Sequence, residues 1–443
     1  MPRDTRASPR LAWTAERVFD GERVLADHAV LVENGVVSAV LPQRSLPEGV
    51  PLWHEPDCTL LPGLIDTHVH FMRWQGPLFL AQGVTTVRDV GNDLDWILAR
   101  RREWQENLWP RILCVGPLLD GEKPCHPMVS RRCTDVAGAV AAVRDTVAVG
   151  VDGIKLYVGL NPAWLPAMAR EGHAAGRRVS MHCLEHGVLV AGRAGVDEFF
   201  HLDGILADVW PTHPPGWLGV WGLPGLAQTW DRQREVADAI RSLGMTATPT
   251  LAYWDSQWRI RTAEHRGSDA LRHVPPAVVE WQGTEPADPA ACAQWRRALD
   301  AAQRFAGLLI ERGVPLLAGS DVPCGAVPAG MSLWRELALL VEAGLSPTQA
   351  LRAATSEAAA FLGQPQLGRL RPESAADLVL VRGNPLARIP EKPDLVGVMR
   401  QGVAYRPDDL LAAAKTATAT VAEEPWGIQL ALHRSASVAS AKV

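Results

Sequence analysis

Hydrophobic and polar positions fall into two textures along this chain. Up to about residue 58 the pattern is one of short β segments. A segment carrying Ala12 and Val18 is broken by the turn pair Asp20-Gly21 before Val24. The run 29–32 then leads through Asn34-Gly35 into 36–40, and an Asn-Gly pair between apolar runs marks a tight hairpin. The far end repeats the texture, with runs at 376–381, 395–399 and 401–405. These two ends predict a small β-sandwich domain built from residues 1–58 and 364–407. The middle alternates instead. Apolar runs at 60–70, 84–89, 112–115, 153–157, 178–182, 196–201, 245–251 and 314–321 are separated by helix-period stretches such as 136–149, 162–175 and 299–312. Eight such units predict an α/β chain whose residues 59–363 form a (β/α)8 TIM-like barrel with right-handed crossovers. Residues 408–443 are expected to form a helix near 410–415, a further ordered segment at 426–433 and a mobile tail over the last ten positions.

Composition narrows this picture. A chain of 443 residues with a formal charge of -5 has room for a large core and carries no basic excess of the kind that binds nucleic acid. No apolar run approaches the ~20 residues of a membrane span. The charged start Met1-Pro2-Arg3-Asp4-Thr5-Arg6 has no apolar signal region behind it, so the expected location is cytoplasmic. Seven cysteines without a C-x-x-C pair do not make a disulfide framework. Cys183, beside His182, reads as a small core residue.

Candidate chemistry gathers at the strand ends. Residues two apart on a strand share a face, so His68 and His70 point the same way at the end of the first run. Lys155 lies on the fourth run, His182 ends the fifth, His201 the sixth and Asp321 the eighth. In a barrel of this kind the C-terminal strand ends form one rim, where active sites sit. Six metal-competent groups therefore converge there, although each alone has a bland alternative as a surface or packing residue.

The order of these pieces resembles the amidohydrolase superfamily, in its imidazolonepropionase-like and dipeptidase/prolidase-like branch. The resemblance rests on Pro62-Gly63-Leu64-Ile65-Asp66-Thr67-His68-Val69-His70, on Gly83-Val84-Thr85-Thr86-Val87-Arg88-Asp89, and on Val196-Asp197-Glu198-Phe199-Phe200-His201. Gly319-Ser320-Asp321 and Ala376-Asp377-Leu378-Val379 extend it, so that it covers about residues 12–405. It implies two divalent metal ions, zinc being the expected pair. His68, His70 and Asp321 would hold one, His182 and His201 the other, and a carboxylated Lys155 would bridge them. An unmodified lysine is a cation that repels metal, whereas the CO2 adduct offers anionic oxygens. The implied reaction is hydrolysis of a C–N bond by a hydroxide, with Asp321 as ligand, as proton carrier, or as both.

Further candidates lie around this set. His126, on the stretch after the third strand, is either a carbonyl-polarising group or a solvated loop residue. Tyr157 and Tyr253 follow strand ends and either bind substrate or pack beneath the loops. Asp66 is expected to support His68 or its strand. Trp334 stands where the family commonly has a histidine before Arg335-Glu336-Leu337. The Gly-Gly-His string often seen after the third strand is missing. Many of the 17 tryptophans fall between 210 and 295. They either line an apolar substrate pocket, suited to a bulky N-acyl amino acid or dipeptide, or pack outer helices. The partner expected is a small-molecule substrate, with self-association into a homo-oligomer left open. Competing readings are a cyclic amidohydrolase or deaminase, an ester or lactone hydrolase, and a metal-binding scaffold without catalysis.

Overall fold

The computed structural model describes residues 10–213, 218–260, 262, 269–281, 289–325, 328–414 and 421–440. The strands in chain order are β1 (Arg10–Phe19), β2 (Val24–Ala26), β3 (His28–Glu33), β4 (Val36–Pro42), β5 (Leu52–Pro62), β6 (Leu64–Val69), β7 (Val84–Asp89), β8 (Arg111–Cys114), β9 (Leu118–Asp120) and β10 (Ser130–Arg132). They continue with β11 (Gly153–Leu156), β12 (Arg178–His182), β13 (Glu198–Phe200), β14 (Thr246–Thr248), β15 (Leu378–Arg382), β16 (Leu395–Arg400) and β17 (Val403–Tyr405).

Both chain ends meet in one eight-stranded sheet of order β17-β16-β15-β5-β1-β3-β4, with β2 on β1. Asn34 and Gly35 both have positive φ, as the tight β3–β4 hairpin requires. The sheet buries its own apolar cluster, including Leu11, Trp13, Val30, Leu60, Leu378 and Met399. The run read from sequence as a single strand from Leu60 to His70 is divided at Gly63. Leu60, Leu61 and Pro62 belong to β5 of the end sheet, and β6 begins at Leu64. Only glycine fits between the two, because a Cβ at position 63 would lie 2.1 Å from Thr85 Oγ1.

The middle of the chain is α/β. Parallel strands form a three-stranded sheet, β6-β7-β8, and a six-stranded sheet, β10-β9-β11-β12-β13-β14. β8 continues toward β11 through the bond from Asp152 N to Cys114 O at 2.7 Å. On the far side, residues 315–322 bond to β14 through Ala247, to β6 through Thr67 and His68, and to His70 just beyond it. This eighth segment is not a regular strand. The N–H of Ser320 goes to the Asp66 carboxylate at 3.0 Å rather than to a ladder carbonyl. β9 and β10 lie in the stretch read as an unbroken loop after the third strand, and His126 sits between them. A helix spanning Pro425–Ser440 occupies much of the stretch expected to end as a tail. Among the described residues, no helix is long and apolar enough to cross a membrane.

Candidate metal centre

Period-two geometry places the first two histidines as expected. His68 is the penultimate residue of β6, and His70 follows its end. Both rings reach Asp321, with His68 Nε2 at 3.2 Å and His70 Nε2 at 3.5 Å from Asp321 Oδ1. The ligand atoms of this trio all lie within 4.8 Å of one another, and all three residues are buried. The His201 ring lies 4.8 Å from that of His68 and 4.4 Å from that of His182, measured between centroids. The strand ends therefore bring four imidazoles together. His201 and Asp321 both sit in the left-handed region, at φ 60° and 61°, a strained conformation that aims their side chains off the strand ends.

The neighbours of these rings determine which nitrogen is presented. His70 Nδ1–H donates to Gly91 O at 3.0 Å, leaving Nε2 toward Asp321. His201 Nδ1 lies 2.7 Å from Thr250 Oγ1, and that hydroxyl donates to Pro249 O. The ring therefore donates through Nδ1. His182 Nε2 lies 2.8 Å from Asp203 Oδ2. Carboxylate and carbonyl partners of this kind orient metal-binding histidines. Asp203, Thr250 and the Gly91 carbonyl did not stand out in the sequence. Asp203 lies only two residues after His201, which was its one visible signal.

Burial tunes the charges. It drives the imidazoles of His68 and His201 well below their ordinary pKa, with Lys155 adding to the effect at His68 and His182 at His201. Both rings are thus neutral, the form that ligates metal. Neither ring nitrogen of His68 has a hydrogen-bond partner although both are buried. Orphaned imidazole nitrogens beside a carboxylate fit a divalent cation with nitrogen and oxygen preference. Lys155 is 1% exposed, which rules out a side chain reaching for solvent. Its Nζ sits 3.7 Å from the centroid of the Phe200 ring, and burial lowers its pKa to about 7. Burial thus favours the neutral amine, the form that can add CO2.

The outlying candidates also fall at this site. His126 Nε2 and the Tyr157 hydroxyl lie 3.0 Å apart, and the Tyr157 ring packs 5.3 Å from His182. Burial raises the Tyr157 pKa well above its usual value, so the phenol keeps its proton. Tyr253 lies 6.3 Å from the His201 ring. Asp66 joins the His68 backbone to Ser320, and burial raises its pKa to about 7. Cys183 is buried with its thiol pKa raised, as a packing residue would be.

The tryptophan-rich stretch behaves otherwise. Trp221 packs edge-on against Trp254 at 5.4 Å and Phe305 at 6.0 Å. Trp221 and Trp230 line a groove of about 600 Å³ with Arg297 and Arg304 of the long helix Pro289–Glu311, and none of the candidate ligands lines it. Trp221, Trp254 and Phe305 are buried in the main apolar core, whereas Trp230 is exposed. Trp217, Pro214 and Pro215 lie outside the described residues. Trp334, in place of the family's histidine, donates its Nε1–H to Gln82 O at 2.9 Å.

Comparison with known proteins agrees with this layout. The amidohydrolase family model matches residues 59–406, and a NagA composite domain model matches residues 11–53. No curated protein matches the chain. Among solved structures, a bottromycin amidohydrolase is 26% identical with a TM-score of 0.69, over 97% of this chain and 92% of that one. An Xaa-Pro dipeptidase with bound methionine is 20% identical with a TM-score of 0.67, over 90% of this chain and 100% of that one. The ochratoxinase of A. niger is 17% identical with a TM-score of 0.65, over 90% of this chain and 95% of that one.

Proposed function

The chain belongs to the amidohydrolase family, and from that premise we propose that it hydrolyses an amide or peptide-like C–N bond at a two-metal site. The observation that carries this reading is the buried trio His68, His70 and Asp321, with His182, His201 and Lys155 around it. In this reading the parallel strands from Leu64 onward and the segment 315–322 form one (β/α)8 barrel that ends near residue 363. Residues 10–62, rather than a segment ending at 58, and 364–407 are then a separate β domain, because Thr59–Pro62 pair with β15 in the end sheet.

Residues His68, His70 and Asp321 would hold one divalent ion and His182 and His201 the other, with carboxylated Lys155 between them. Zinc suits the donor set. Such a pair supplies Lewis acidity and brings the pKa of a water near neutrality. The chain's own groups do the rest. Asp321, facing both His68 and His70, takes the attacking water's proton and returns it to the leaving nitrogen. The hydrogen-bonded pair His126–Tyr157 offers a donor to the carbonyl oxygen as charge develops on it. Asp203 and Thr250 hold the rings of His182 and His201 in one orientation.

The bottromycin amidohydrolase and the Xaa-Pro dipeptidase are by name hydrolases of an amide and of a dipeptide, so N-acyl amino acids and dipeptides are the first panel to test. Metal content and hydrolysis of that panel should be measured on the protein and on Lys155→Ala. Two divalent ions per chain in the parent, and loss of metal and turnover in the variant, are the expected results. One tightly held ion, indifferent to Lys155→Ala, would overturn the two-metal reading.

A further inference from the structure

The end of the chain, beyond the family match at 406, returns to the metal centre. Residues 421–430 are fastened at three places. Glu424, fully buried, accepts from the backbone N–H of Arg73 at 3.0 Å and from its Nε at 3.1 Å. Trp426 Nε1 donates to Gly91 O at 2.7 Å. Gln429, 1% exposed, accepts from Met128 N at 3.0 Å. Arg73 follows β6, Gly91 follows β7 and Met128 lies between β9 and β10, so the segment ties together three separate loops. Val421, Trp426 and Leu430 join the main apolar core.

Trp426 stands at the point where this matters chemically. Its ring centroid lies 4.2 Å from that of His70 and 5.4 Å from that of His126. Gly91 O, the acceptor of its N–H, is the same carbonyl that receives His70 Nδ1–H. A carbonyl has two lone pairs, and here both are engaged. Glycine leaves a peptide more conformational freedom than any other residue. The same peptide is held at its other end by Asn92 N–H on Gly116 O at 3.3 Å. The indole adds the second hydrogen bond on the oxygen itself, which limits the turn of the carbonyl that orients His70.

We propose that residues 421–430 are a working part of the metal centre, in which Trp426 is a positioning residue for His70 and forms the wall between His70 and His126. The inference rests on the two-metal reading above. The indole clamps the carbonyl that orients a ligand, and its ring gives the site an apolar face toward a substrate group next to the scissile bond.

The test uses the full-length zinc-loaded protein with Trp426→Phe and Trp426→Leu. Metal retained against a competing chelator is measured beside KM and kcat on apolar N-acyl amino acids, with circular dichroism as the check on folding. Phenylalanine keeps a wall but removes the N–H. Its expected result is metal held about 10-fold more weakly or worse, the range seen when partners of metal ligands are lost, with KM for apolar substrates little changed. Leucine removes both, so metal retention falls and KM rises. A folded Trp426→Leu protein that holds metal as tightly as the parent would overturn the proposal. Should leucine prevent folding, undiminished metal retention in Trp426→Phe does the same. A parent protein that binds no metal would instead refute the two-metal reading.

Discussion

Replacing Arg88 with methionine should cost the fold about 3–5 kcal/mol, the usual penalty for stranding one member of a buried ion pair. Arg88 on β7 and Glu198 on β13 face each other across the interior, and their side chains are 2% and 0% exposed. The pairing is bidentate, at 2.8 and 2.7 Å, and Arg88 Nε also donates to Thr67 O at 2.6 Å, next to His68. Without the guanidinium, Glu198 keeps the hydroxyls of Ser180 and Thr248, each at 2.6 Å, but loses its bidentate counter-charge and is left with the buried Lys155 as cationic neighbour. At about 2.1 cal/mol/K per residue, a chain of 443 residues unfolds with an entropy near 0.9 kcal/mol/K. The expected fall in Tm is therefore about 3–5 °C. Scanning calorimetry at matched metal loading is the assay, because bound metal itself raises Tm. Arg88→Met combined with Glu198→Leu removes both charges and should recover more than half of the loss. A single variant within 1 °C of the parent (about 1 kcal/mol by the same entropy) would refute the reasoning. So would a double variant no better than the single.

Three further outcomes follow from the same geometry. Asp203→Asn should weaken metal binding about 10–100-fold by loosening His182, and unchanged chelator competition would count against the assigned partner. Gly319→Ala should destabilise by about 1–3 kcal/mol and lower activity, because a Cβ there would lie 2.6 Å from that of His68. Parent-like Tm and turnover would show that the strand ends can yield. Burial raises the Glu336 carboxyl from 4.5 to about 8, so the folded state holds its proton more tightly than the unfolded chain does. Its contribution is full below about pH 4.5 and is lost as pH rises through about 8. Tm of the parent relative to Glu336→Gln should therefore fall between pH 5 and 8.5, and a constant difference would exclude this linkage.

The convergence of His68, His70, Lys155, His182, His201 and Asp321 was legible because each lies in or at the end of an apolar run. Period two accounts for the shared face of His68 and His70, whereas His201 and Asp321 reach the site from left-handed residues that no alternation predicts. What escaped the sequence depends on contacts without a period. β9 and β10 are three residues each, too short for alternation to register. The break at Gly63 was hidden because the residues on both sides are apolar, and only the approach of Thr85 decides it. Segment 315–322 reads as a strand but contains Pro315 and spends the N–H of Ser320 on Asp66. The tryptophans carried two readings because an aromatic ring satisfies a pocket or a helix contact equally well. Trp426 was seen only as part of an ordered segment, since its role rests on a carbonyl 335 positions away.

The buried acids show why residue type alone would have misassigned the chemistry. Asp66, Asp89, Asp120, Glu336 and Glu424 are fully buried close to strand ends or to the loops that carry candidate groups. Each accepts from backbone N–H groups. Asp89 receives Phe71 and Gly91, and Asp120 receives Gly121, Cys125 and Gly159. Glu336 receives Ala252, two residues beyond Thr250. These carboxylates are spent on holding loops that would otherwise be the softest part of an α/β fold, and the geometry of the histidines depends on them. Two other buried acids face imidazole nitrogen. Asp203 meets one ring, His182, and accepts from Gly204 N at 2.8 Å with its other oxygen. Asp321 meets two, His68 and His70, through one oxygen. In the two-metal reading, a carboxylate shared between two imidazoles would bind a cation and carry the attacking water's proton, and this contact pattern separates Asp321 from the acids that only pin backbone.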